Sequence, residues 1–171
     1  SEERSQGDTF MRTDTHWSPD GAEVVARAVA RWLPDSGDPN AFSTSFGPEQ
    51  AFSGDLIPFV DTGMFRDLAG IAEETIAVPQ TQRNGGASML FADFETALAL
   101  VGTSYSARSE FNFAGFLQQE TGLELVNFAT EGQGPFAPMR MLLESGEMVE
   151  TGARIVIWEI PERYIDPERT R

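Results

Sequence analysis

Leu98-Ala-Leu-Val101, running into Gly102-Thr-Ser-Tyr-Ser106, is the stretch that decides the fold. A short, continuous apolar run that stops at a glycine predicts a buried strand turning tightly into the next element. That element is predicted to be a helix over Ala107–Thr121, with Phe111, Ala114, Phe116 and Leu117 toward one side and Gly122 closing it. Leu123–Phe128 then reads as a second strand. Pro135–Ser145 reads as a second helix with Met139, Leu142 and Leu143 as its apolar side, and Arg154–Trp158 as a third strand. Strand, helix, strand, helix, strand with short connections predicts an α/β fold with a mainly parallel sheet and right-handed crossovers. Ligands of such sheets bind beyond the carboxyl ends of the strands.

Toward the N-terminus, Ser18–Leu33 carries a marked helix start. Ser18 can cap it, Pro19 suits the first turn, and Asp20 favours the positive end of the dipole. Val24, Val25, Ala28, Val29 and Trp32 recur at helical spacing and form its expected apolar stripe. Pro34–Pro39 ends the helix in a loop. Residues 40–95 are expected to be an insertion or an irregular region within a single domain spanning 1–171. Short apolar pieces (Leu56–Val60, Thr75–Val78, Ser88–Phe91) alternate there with Gly, Pro and Asp. Asn84-Gly85-Gly86 between the last two suits a hairpin.

Composition narrows the chemistry. The 171 residues include 12 basic and 27 acidic side chains, a formal charge of −15. Nucleic acid and anionic membrane surfaces both draw binding energy from clustered Lys and Arg, so neither is an expected partner. No apolar stretch reaches the length of a membrane span, so no direct insertion is expected. Without an initiator Met or a signal peptide, the chain reads as a mature form or an excised piece. Cysteine is absent, which removes disulfides, thiolate metal sites and a Cys nucleophile. There is one histidine, so a multi-histidine metal site is impossible and any imidazole chemistry falls to His16. Glu73-Glu74, Glu144, Glu147 and Glu150 read as solvated faces, no carboxylate pair suggests a glycosidase, and Gly132-Gln-Gly134 lacks the dinucleotide-loop pattern.

Ser104 lies where the first strand gives way to its helix, and there a hydroxyl meets the carboxyl edge of the sheet. The helix start adds backbone N–H groups for a developing oxyanion. Most serines in such turns are plain caps, and by itself the position carries little. Asp14-Thr-His16-Trp17 adds a second observation. In an extended segment residues two apart point the same way, so Asp14 can hold one ring nitrogen of His16 and leave the other to act as base. An isolated histidine is otherwise a surface or satisfied core side chain, and the serine motif is what favours the catalytic reading.

These words resemble the SGNH hydrolase superfamily, in which a Gly-Asp-Ser motif follows a strand and an Asp-x-x-His or Asp-x-His motif precedes a helix. Gly102-Thr-Ser104 is similar to the first, with Thr103 in place of the usual Asp, and Asp14-Thr-His16 to the second. Asp and His precede Ser here, the inverted (permuted) order of the alginate-type polysaccharide O-acetyltransferases. Thr-His-Trp-Ser-Pro-Asp-Gly-Ala (15–22), Val-Gly-Thr-Ser-Tyr-Ser (101–106) and Trp-Glu-Ile-Pro-Glu-Arg-Tyr (158–164) resemble that family closely. The resemblance implies a three-layer SGNH-like sandwich, with Ser104, His16 and Asp14 as the catalytic residues. Asn127–Gly132 matches the pattern whose last glycine lends a backbone N–H to the oxyanion hole, which implies Gly132 beside the Ser104 N–H. The usual Gly-x-Asn-Asp of the third strand is absent. Trp158-Glu-Ile-Pro161 stands there, leaving Tyr164 or Arg163 as replacement donor, or both aromatics as packing residues.

By that resemblance the expected function is O-acetyl transfer through an acetyl-serine to hydroxyls of an exopolysaccharide such as alginate. The partners implied are an acetyl donor, a polysaccharide acceptor, a membrane O-acyltransferase and other export proteins, in the periplasm. No cofactor and no metal is required. A carbohydrate O-acetylesterase, or a weakly active polysaccharide-binding scaffold domain, uses the same motifs. A polyanionic acceptor conflicts with the −15 charge unless Arg108, Arg140 or Arg163 lines the cleft, or a carbohydrate-binding module follows the domain. Relatives also carry a long segment ahead of the Asp-x-His motif, so missing N-terminal strands are expected.

Overall fold

The computed structural model describes residues 7–34, 37–60, 74–85 and 96–165. Three strands, β3 (Thr96–Val101), β4 (Glu124–Asn127) and β5 (Ile155–Trp158), form a parallel sheet in the order β4-β3-β5. Leu98, Ala99, Leu100 and Val101 of the central strand are wholly buried. That is why the run is apolar at every position rather than alternating. The chain passes from β3 outward to β4, then back across β3 to β5. Right-handed crossovers in opposite directions place their helices on opposite faces of the sheet, giving the expected three layers. Ligands bind in such sheets beyond the carboxyl ends of the strands. There the Phe128 N–H bonds Leu100 O at 2.7 Å and the Thr130 N–H bonds Gly102 O at 3.2 Å. The loop after β4 is thereby tied to the turn after β3.

The expected helix over 107–121 is broken into α3 (Ser104–Ala107), a 3-10 turn (Ser109–Phe111) and α4 (Phe113–Thr121). Arg108 is extended and Asn112 is left-handed with φ 54°. In one continuous helix Phe111 and Phe113 would point roughly 200° apart. The break lets Phe111, Phe113 and Phe116 all enter the core, so the Phe-rich stretch is packing, not a sugar platform. Gly122 closes α4 with φ 68°, as expected of an αL cap.

The first helix, α1 (Pro19–Ala30), starts where predicted, with the Gly21 N–H bonded to Ser18 Oγ at 3.0 Å. Its buried face differs from the expected stripe. Gly21, Ala22 and Ala26 are buried, while Val24, Val25 and Ala28 are exposed and Trp32 beyond the helix is 89% exposed. Small side chains win because the backbone approach is close: a Cβ on Gly21 would lie 1.9 Å from Thr9 O. On the C-terminal side, α5 (Phe136–Ser145) buries Leu142 but leaves Leu143 exposed. An unanticipated α6 (Glu147–Thr151) follows. Glu144, Glu147 and Glu150 are solvated as expected.

Within 40–95 the described residues are regular rather than irregular. Antiparallel β1 (Phe42–Phe52) and β2 (Glu74–Arg83) form a two-stranded sheet of their own, and a short α2 (Ile57–Val60) follows β1. The expected Thr75–Val78 strand therefore pairs with β1, while Gly86 and Ser88–Phe91 lie outside the described residues. This ladder packs Phe46 and Phe52 against Phe116 and Phe111. Glu74 also departs from its expected role as a solvated side chain, and Glu73 lies outside the described residues. Glu74 is buried and accepts hydrogen bonds from the N–H groups of Arg12 (2.9 Å) and Thr13 (2.7 Å) and from the Thr13 hydroxyl. Burial pushes its carboxyl pKa up, but these bonds outweigh burial and hold it below the usual value.

Candidate active site

Thr9–Ser18 folds back on itself. The Ser18 N–H bonds Thr9 O and the Met11 N–H bonds His16 O, both at 3.1 Å, and Phe10 and Trp17 form an antiparallel bridge. Asp14 and His16 sit in the bend of this loop, which is not the extended strand that the two-residue spacing suggested. The side-by-side placement comes from a turn: Asp14 Oδ1 accepts the His16 backbone N–H at 2.9 Å and meets Nδ1 of the same ring at 2.5 Å. The other ring nitrogen, Nε2, lies 2.7 Å from Ser104 Oγ. Asp14 and His16 are both buried, and the ring is packed between Tyr105 and Phe111. With its proton on Nδ1 facing the carboxylate, the ring presents a free lone pair at Nε2 to the serine hydroxyl.

The bend is braced from outside. Asp14 Oδ2 accepts the Asp55 N–H at 3.0 Å, while the Asp55 carboxylate accepts the N–H (2.8 Å) and hydroxyl (2.6 Å) of Thr15. Burial raises the Asp14 pKa. The His16 ring and backbone bonds and the Asp55 N–H offset this, and the carboxyl is held below its usual value. Arg108 stands 3.4 Å from Asp14 Oδ2, is bonded to Glu110 at 2.6 Å and lies over the Phe111 ring. Asp14, His16 and Asp55 together offer ligand atoms within 4.8 Å, but a metal there would have to displace the bond that orients the ring.

Ser104 is the first residue of α3, after the N-cap Thr103. Its backbone N–H has no partner among the described residues and remains available to a developing oxyanion. Gly132 lies in the exposed loop beyond the Thr130 contact, with φ 73° that favours glycine. Arg163 and Tyr164 are not brought to Ser104 by any contact. The guanidinium lies 5.3 Å from the centroids of both Tyr105 and Tyr164, and Tyr164 packs beside Gly134. A cavity of about 520 Å³ is lined by Trp17, Val25, Val29, Tyr105, Ile157 and Arg163 among others, but by neither Ser104 nor His16. Ser104 lies instead where β3 turns into α3, at the carboxyl end of the sheet.

A family profile, the SGNH hydrolase-like domain of the acetyltransferase AlgX, matches residues 1–162. The chain belongs to this family. It is 39% identical over 170 residues to the probable alginate O-acetylase AlgJ of Pseudomonas syringae, covering 95% of this chain and 44% of that protein. It is 41% identical over 172 residues to the AlgJ of Azotobacter vinelandii, again over 95% and 44%. The O-acetyltransferase domain of Pseudomonas putida AlgJ superposes with a TM-score of 0.81 at 35% identity, over 98% of this chain and 62% of that one. The chain thus spans less than half the length of these curated relatives.

Membership in the AlgX-type SGNH family accounts for the α/β sheet and the inverted order of Asp, His and Ser. Three other residues at the site escaped the sequence reading: Asp55, Glu74 and Glu159. The first two act on the Asp14 loop from β1–α2 and β2, segments with no motif of their own. Of the arginines that could line a cleft for a polyanion, Arg108 has its guanidinium turned toward Asp14 and Glu110. Arg140 is exposed on α5. Among the described residues no helix is long and apolar enough to cross a membrane.

Proposed function

We propose that this domain transfers acetyl groups through an acetyl-Ser104 intermediate to hydroxyls of an exopolysaccharide of the alginate class. The reading rests on one observation: the chain of contacts from Asp14 through His16 to Ser104, at 2.5 and 2.7 Å. His16 Nε2 takes the Ser104 proton as Oγ bonds to the acetyl carbonyl carbon, and the resulting oxyanion is met by the Ser104 N–H, with Gly132 as second donor. Collapse expels the donor's leaving group, which takes the proton from the imidazolium. In the second half His16 deprotonates a sugar hydroxyl, which attacks the acetyl-serine and restores Ser104. Asp14 keeps the tautomer fixed and stabilises the charged ring in both halves. The naming of the relatives as probable alginate O-acetylases supports the acceptor class; a periplasmic setting and a membrane O-acyltransferase as the source of acetyl groups belong to the same proposal.

Incubating the protein with a chromogenic acetyl ester, with and without alginate oligosaccharides, tests this. The expected result is acetyl on the Ser104 peptide and on the oligosaccharide by mass spectrometry. Acetate release without acceptor acetylation would make the domain an esterase. An unchanged rate in Ser104→Ala would remove the nucleophile.

A further inference from the structure

The third parallel strand, β5, is followed directly by Glu159, whose carboxylate lies under the nucleophile turn. The Glu159 N–H bonds Val101 O at 2.8 Å, which fixes the residue beside the end of β3. Oε2 accepts the Thr103 N–H at 2.8 Å, the Thr103 hydroxyl at 3.0 Å and the Ser106 hydroxyl at 3.1 Å. Residues on both sides of Ser104 are therefore tied to one carboxylate. Thr103 and Ser106 are almost wholly buried, so water cannot readily replace those bonds. Gly102 is part of the same arrangement: a Cβ there would lie 2.5 Å from Glu159 Oε2 and 3.0 Å from Ser106 Oγ.

We propose that Glu159 is the positioning residue of the nucleophile turn, aiming Ser104 Oγ at His16 by holding Thr103 and Ser106. The inference rests on Ser104 being the nucleophile. Glu159 does not act by stabilising the transition state, because a carboxylate opposes an oxyanion forming nearby. By consuming the Thr103 N–H it leaves the next one, that of Ser104, as the donor the turn presents.

The full chain, Glu159→Leu, Glu159→Gln and Thr103→Val are compared by the acetylation burst with p-nitrophenyl acetate, alongside near-ultraviolet circular dichroism. Misaligning an attacking atom by about an ångström costs on the order of 100-fold. Glu159→Leu should therefore lose roughly 30- to 100-fold in the acylation rate, with KM within about twofold. Glu159→Gln can keep its oxygen on Thr103 and Ser106 and should stay within about tenfold of wild type. Acylation by folded Glu159→Leu at the wild-type rate, or a loss confined to KM, overturns the proposal. If Glu159→Leu does not fold, Thr103→Val decides: slower acylation at unchanged KM supports it and a wild-type rate overturns it. A burst surviving in Ser104→Ala removes the nucleophile and this inference with it. A dead Ser104→Ala beside an unimpaired Glu159→Leu overturns this inference alone.

Discussion

Asp14→Asn changes one atom of the site and should nearly abolish turnover. In the native loop Asp14 Oδ1 serves the His16 N–H and Nδ1, at 2.9 and 2.5 Å, while Oδ2 serves the Asp55 N–H at 3.0 Å and Arg108 at 3.4 Å. All of these are donors, and an amide can turn only one oxygen toward them. With its oxygen on His16, the new NH2 faces the Asp55 N–H and the guanidinium, and a buried donor is unsatisfied. With its oxygen on Asp55, the NH2 faces Nδ1, which must then accept. The ring proton moves to Nε2 and points at Ser104 Oγ, so the base is blocked. An Asp→Asn exchange behind a catalytic His costs about 10⁴ in kcat, or ~5.5 kcal/mol in the barrier. We expect a loss of ~10³–10⁴ in acetylation, with an added stability cost of ~1–3 kcal/mol for the orphaned donor. Steady-state hydrolysis of a chromogenic acetyl ester gives the first quantity and urea unfolding the second. A loss smaller than tenfold in a folded variant would mean that Asp14 does not set the tautomer. The acid side gives a second reading of the same group. Because the folded pKa is depressed, Asp14 contributes stability that is present above its unfolded pKa of about 3.9 and is lost as pH falls through the folded value. Asp14→Asn should lack that part of the acid transition.

Glu74→Ala removes the acceptor of the Arg12 and Thr13 N–H groups and should cost ~1–3 kcal/mol for the buried donor. Its carboxyl pKa is also depressed, so chemical denaturation should find the difference from wild type large at neutral pH. The gap should shrink as pH falls below about 4.3 and through the folded value; a gap that does not change with pH counts against this. Gly54→Ala would place a Cβ 1.9 Å from Thr13 O and 2.7 Å from the Asp14 N. Thermal unfolding should show a destabilisation of ~1–3 kcal/mol, with esterase activity falling because the displaced backbone carries Asp14; an unaffected variant would show that this contact yields freely. Asp55→Ala frees Thr15 between the two reacting residues, and kinetics with the same ester should show kcat reduced by ~10-fold or more at nearly constant KM. A wild-type kcat would make the Thr15 brace dispensable.

Much of the sheet and the central contact of the site could be read in advance, because each leaves a local trace. A strand buried on both faces must be apolar throughout, and Leu98–Val101 is. A turn that presents a side chain at the strand end needs Gly102. What escaped was set by partners distant in sequence. Nothing near α1 announces that Gly21, not Val24 or Val25, faces inward, since that choice is made by how closely Thr9 approaches. The break at Arg108 and Asn112 follows from the need to bury three phenylalanines, and helical periodicity alone cannot report it. Asp55 and Glu74 are acidic residues in polar surroundings, indistinguishable by type from the solvated Glu144 or Glu150. They become structural only when the Asp14 loop folds back to present its N–H groups. The Asp14–His16 spacing was read correctly for the wrong reason: the loop bends, and a side-chain-to-backbone bond achieves what strand alternation would have done.

The ring between Asp14 and Ser104 has a consequence for spectroscopy. As the sole histidine of the sequence, it gives one set of imidazole resonances, which needs no mutagenesis to assign. Its Nδ1 proton, confined in a 2.5 Å contact with a buried carboxylate, should exchange slowly with solvent and resonate far downfield of the amides. On the proposed acetyl-Ser104 route, acylation takes from Nε2 its hydroxyl partner while Nδ1 keeps its own. The two nitrogen signals should then report loading and unloading of the enzyme separately, in real time and without a label on either substrate.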